Sequence, residues 1–153
     1  MFNCCQKCQS NKVEALSTRL KEKEEKIQQV LECLVQESSE GTPIIVEGKK
    51  DIETLRTLGI QGEIMSAKTG GKSRLDVISE IEKKQSREVV LLLDFDRRGR
   101  EWTTILKQHL EKTEIKPNLD FWNDLKRLVG RELKDIEGLA AYMQTLKKRI
   151  GET

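Results

Sequence analysis

Three carboxylates and a set of nearby cations carry the chemistry of this sequence. Asp94-Phe95-Asp96 stands directly after the apolar run 89–93. On an extended strand, side chains two positions apart share a side at roughly 6.5–7 Å. Two such anions repel unless a cation joins them, and Mg²⁺ suits the pair because it prefers oxygen ligands and takes few protein carboxylates. Arg97-Arg98-Gly99-Arg100 follows at once, with guanidinium groups matched to phosphate oxygens. The competing reading makes the aspartates caps of the next helix and the arginines solvated charge. Glu47 ends a second apolar run, Ile44-Ile45-Val46, and leads into Gly48-Lys49-Lys50-Asp51. A lone glutamate there is an ordinary surface residue. If the two runs are neighbouring strands, Glu47, Asp94 and Asp96 converge with Lys49, Lys50, Arg97, Arg98 and Arg100. A metal-dependent phosphoryl-transfer site is assembled in that way.

The elements expected to hold these residues alternate between strand and helix. Val13, Leu20, Ile27 and Leu34 recur every seven positions within an N-terminal helix over 13–37, and Lys23 interrupts the seam. A helix packing on the domain is therefore expected, rather than a free coiled coil. Gly41 and Pro43 stop it. Strands are expected at 44–46, 60–65 and 89–93, the last apolar throughout and so buried on both faces. Helices are expected at 51–58, 75–83, 101–112, 120–129 and 133–150. Such alternation predicts a layered, mostly parallel sheet of about four strands, with its site at the strands' C-terminal ends. The expected organisation is a tail and helix over 1–40, a catalytic core over 41–118 and C-terminal helices over 119–153.

Composition narrows the function classes. Of 153 residues, 36% are apolar and 35% charged, with a net charge of +2, so any basic surface must be local. Aromatics at 4% argue against a broad base-stacking platform. No apolar run spans a membrane, and the first residues lack the features of a signal peptide. Cys4, Cys5 and Cys8 form at best half a zinc site, and with Cys33 they read as free thiols of a cytoplasmic protein.

Thr69-Gly70-Gly71-Lys72-Ser73 looks like the end of a phosphate-binding P-loop, yet that pattern needs glycine where Ser66 stands. The loop still suits a substrate phosphate, through Lys68, Lys72 and Arg74. Trp102 and Trp122 read as helix anchors rather than base stackers.

The segment Ile44-Ile45-Val46-Glu47-Gly48, a helix, Gly59, and then Leu91-Leu92-Leu93-Asp94-Phe95-Asp96-Arg97-Arg98-Gly99 resembles the Toprim domain over about residues 42–118. That α/β fold is shared by DnaG-type primases, type IA and type II topoisomerases, overcoming-lysogeny nucleases and the ribonuclease that matures 5S ribosomal RNA. The small stand-alone, primase-like Toprim proteins of archaea are the most similar in kind. The resemblance implies Glu47 as general acid or base facing the metal, and Asp94 and Asp96 as Mg²⁺ ligands, with Mn²⁺ able to substitute. The segment 131–139 is similar to the acidic stretch that ends the domain in primases, which would bring Asp135 or Glu137 near the metal. Tyr142, the only tyrosine, lies in the terminal helix, so a topoisomerase activity does not carry over. The expected function is Mg²⁺-dependent action on phosphodiesters, most plainly a nuclease on structured RNA or DNA. Lys49, Lys50, Lys72, Arg97 and Arg98 would hold the substrate phosphates. The alternative is a non-catalytic nucleic-acid or ribonucleoprotein component that retains the metal site, with the N-terminal helix free to dock a protein partner or a second copy.

Overall fold

The computed structural model describes residues 16–68 and 73–151. In chain order the elements are α1 (Leu16–Ser39), β1 (Ile44–Val46), α2 (Lys49–Thr57), β2 (Ile64–Ser66), α3 (Arg74–Lys83), β3 (Glu88–Leu92), α4 (Arg97–Lys112), β4 (Lys116–Asn118), α5 (Asp120–Val129) and α6 (Leu139–Gly151). The four strands form one sheet in the order β2-β1-β3-β4, every pair parallel. β4 carries Pro117 and lies at the edge, where a residue without an N–H is tolerated.

The apolar runs of β1 and β3 are buried on both faces because each face has its own helical layer. Ile44, Val46, Val90 and Leu92 pack with Ile27, Val30, Leu31 and Leu34 of α1, Leu55 of α2 and the apolar faces of α5 and α6. Ile45, Val89 and Leu91 join Val77, Ile78 and Ile81 of α3 and Trp102, Leu106 and Leu110 of α4. The chain therefore leaves β1 towards one face and leaves the adjacent β3 towards the other. That divergence opens a crevice at the C-terminal ends of the two central strands.

α1 is a docked helix, as its interrupted seam predicts. Lys23, the interruption, pairs with Glu132 at 2.7 Å and stands 5.8 Å from the centre of the Tyr142 ring. Both expected tryptophan anchors are buried. Among the described residues no helix is long and apolar enough to cross a membrane.

Among the described residues, three element starts differ from expectation by four residues or more. β2 begins at Ile64 rather than 60, because the Arg56 guanidinium holds the carbonyls of Ile60 and Gly62, while Gly62 N donates to Ser38 Oγ. α4 begins at Arg97 rather than 101, because Asp96 caps it. α6 begins at Leu139 rather than 133, since the chain over 131–138 is tied to the rest of the domain by its backbone. Cys33, expected as a thiol, is disulfide-bonded. Cys4, Cys5, Cys8 and the expected start of the first helix at Val13 lie outside the described residues.

Candidate metal centre

Glu47 leaves the end of β1 and is only 3% exposed. Its Oε1 accepts the backbone N–H of Asp94 at 3.2 Å, and its Oε2 faces Lys68 Nζ at 3.4 Å. One buried carboxylate thus spans the crevice from β1 to the chain leaving β3. The backbone beside it is secured on the β2 side, where Ser66 Oγ donates to the Glu47 carbonyl and accepts from Lys68 N.

Asp94 and Asp96 take different roles. β3 ends at Leu92, so the pair sits on a loop and the strand spacing expected for it does not apply. Asp96 is exposed, and its Oδ1 accepts Gly99 N at 2.8 Å, capping α4. The capping reading therefore holds for Asp96. Asp94 caps nothing: its Oδ1 is buried without a hydrogen-bond partner. Burial pushes its carboxyl up from 3.8 to about 7, reinforced by the charges of Glu47, Asp51, Asp96 and Asp135. Gly99 permits the close approach of α4 to this loop, since a Cβ there would run into the Asp94 carbonyl and Cβ.

The loop is held from outside as well. Trp122 Nε1 donates to the Leu93 carbonyl at 2.8 Å, and its ring lies 6.1 Å from that of Phe95. Phe95 N donates to the Lys134 carbonyl at 2.7 Å, and Thr54 Oγ1 donates to the Glu137 carbonyl at 2.8 Å. These two bonds bring the 131–138 segment beside the site. The charge of Asp135 acts on both Asp94 and Asp51, and that of Glu137 on Asp51.

Asp51 is the acid that sequence reasoning passed over. It is 5% exposed, its Oδ2 accepts Gly48 N at 3.0 Å, and burial raises its carboxyl despite that bond. Its place three residues after Gly48, in the first turn of α2, is the available signal.

The expected phosphate-binding cations stand apart from the acids. Lys49 and Lys50 are exposed on the first turn of α2, and Arg97 and Arg98 on that of α4. Arg97 pairs with Glu101 at 3.2 Å. Lys72 lies outside the described residues. Three arginines in the first turn of α4 oppose its dipole, and the Asp96 carboxylate that caps the helix offsets them.

Among the described residues no three acids close on one point as a ready-made cage. Mg²⁺ does not require one, since it retains several waters and takes one or two carboxylates. The unpartnered Asp94 Oδ1, flanked by carboxylates that raise its proton affinity, fits a divalent cation.

The family model for the Toprim domain matches residues 42–121. A UPF0292 protein of Methanosarcina acetivorans is 37% identical over 127 residues, covering 83% of this chain and 86% of that protein. A UPF0292 protein of Methanocaldococcus jannaschii is 38% identical over 120 residues, covering 78% of this chain and 91% of that protein. Among solved structures, a protein from Aquifex aeolicus superposes with a TM-score of 0.59 at 28% identity, covering 71% of this chain and 94% of its own.

Proposed function

The chain belongs to the Toprim domain family, a fold that implies a metal-dependent role on nucleic acid, and on that premise we propose that it is a Mg²⁺-dependent nuclease acting on structured RNA or DNA. The observation that carries this reading is Asp94: a buried carboxylate oxygen without a partner, among like charges, at the crevice between β1 and β3. Asp94 would hold the cation, with Asp96 adding the oxygen that does not cap α4 and Glu47 facing it. Bound there, Mg²⁺ supplies charge neutralisation at the scissile phosphate and a more acidic water. Glu47, anchored by Asp94 N, would take or return a proton. The exposed Lys49, Lys50, Arg97 and Arg98 at two helix starts would hold the substrate backbone, with Lys72 added to them.

A second reading, a non-catalytic nucleic-acid component, is favoured by Glu47 itself, whose two oxygens are already engaged. Turnover separates the two. Purified protein with Mg²⁺ or Mn²⁺ is expected to cut structured RNA or duplex DNA, and Asp94→Asn to lose at least a hundredfold in rate, roughly the effect of losing one strong electrostatic contribution. Absence of cleavage on every substrate, with nucleic-acid binding intact in Asp94→Asn, would retire the nuclease reading.

A further inference from the structure

Among the described cations near the site, Lys68 has a position of its own. It follows β2, the strand adjacent to β1, and the Ser66 hydroxyl and the Ala67 N–H to Val46 O tie its backbone to the end of β1. Its ammonium lies 3.4 Å from Glu47 Oε2 and is about half exposed, whereas Glu47 is almost wholly buried. Among the described side chains, no other Lys or Arg nitrogen comes within 4.0 Å of a carboxylate oxygen of Glu47, Asp51, Asp94, Asp96, Asp135 or Glu137.

We propose that Lys68 is the internal counter-cation of the centre, competing with the divalent metal for Glu47 and, once displaced, presenting its ammonium to a substrate phosphate. The inference rests on the metal reading above. A carboxylate buried beside Asp51 and Asp94 needs positive charge, and in the metal-free protein Lys68 supplies it. A divalent ion at the same carboxylates repels the ammonium, because two cations sharing one anion oppose each other at short range. The lysine stem is flexible and its end half exposed, so release towards solvent requires only rotation of the side chain. Lys68, half exposed after the end of β2, would then be free to meet an incoming phosphodiester. The geometry makes metal loading and phosphate capture sequential at one residue.

Direct Mn²⁺ titration, read from the electron paramagnetic resonance of free Mn²⁺, tests this without any assay of activity. Lys68→Met and Lys68→Gln are expected to bind Mn²⁺ roughly tenfold more tightly than the unaltered protein, the scale on which neighbours of metal ligands act. The same charge removal at Lys107, exposed on α4, is expected to leave affinity unchanged. With Mg²⁺ saturating, both Lys68 variants are expected to bind a duplex oligonucleotide several-fold more weakly. Equal or weaker Mn²⁺ binding by folded Lys68 variants overturns the inference while the metal reading stands. Unaltered protein that binds no Mn²⁺, or Asp94→Asn that binds it equally well, overturns the metal reading and this inference with it.

Discussion

A carboxyl moved from 3.8 to about 7 makes Asp94 a proton store in the metal-free protein. Between those two values the folded chain keeps the proton that the unfolded chain has already lost. Stability therefore falls as pH rises through that window, the reverse of an ion-paired aspartate. Asp51, also raised by burial, adds to the same trend. The thermal midpoint of protein in excess chelator is expected to decline from pH 4 to pH 7, and Asp94→Asn to flatten the decline. An unchanged slope in Asp94→Asn would place the proton elsewhere. Glu47 and the aspartate pair were legible as candidates because each follows an apolar run. What they contact was not legible: the Asp94 N–Glu47 bond joins residues 47 positions apart, and no local pattern reports it.

At the scale of elements, the loop after β3 is set by three neighbours that lie far from it along the chain. Glu47 holds Asp94 N, Lys134 holds Phe95 N, and the indole of α5 holds the Leu93 carbonyl. Trp122→Phe keeps an aromatic ring against Phe95 but removes the indole N–H that donates to that carbonyl. A buried carbonyl left without its donor costs about 1–3 kcal/mol. The same variant is expected to bind Mn²⁺ roughly tenfold more weakly, as loss of an orienting contact near a metal site does. Chemical denaturation and Mn²⁺ titration measure the two effects. Lower stability with unaltered Mn²⁺ affinity would make Trp122 a packing residue alone. β1 and β3 were readable from uninterrupted apolar stretches, and α1 from its heptad. The starts of β2, α4 and α6 were not, because Arg56, Asp96 and the backbone of the 131–138 segment decide them through contacts that periodicity does not encode.

Over the whole molecule the net charge is +2, so a polyanion must be gripped by the rim of the crevice rather than by an overall field. If Lys49, Lys50, Arg97 and Arg98 each meet a phosphate, the logarithm of duplex-DNA affinity should fall against that of salt with a slope of about −3.5. Replacing Lys49 and Lys50 together by Gln should make the slope shallower by about 2, read by fluorescence anisotropy at several salt concentrations. An unaltered slope would move the substrate path away from α2. The whole-chain arrangement also contains one joint with an evolutionary meaning. The bond between Phe95 N and the Lys134 carbonyl uses main-chain atoms at both ends, so it is indifferent to which side chain stands at position 134. Mutational drift there leaves the C-terminal segment fastened to the acidic loop, whereas proline at 95 removes the donor and unfastens it. Descendants of this chain are thus free to vary the surface chemistry of that wall while inheriting its placement unchanged.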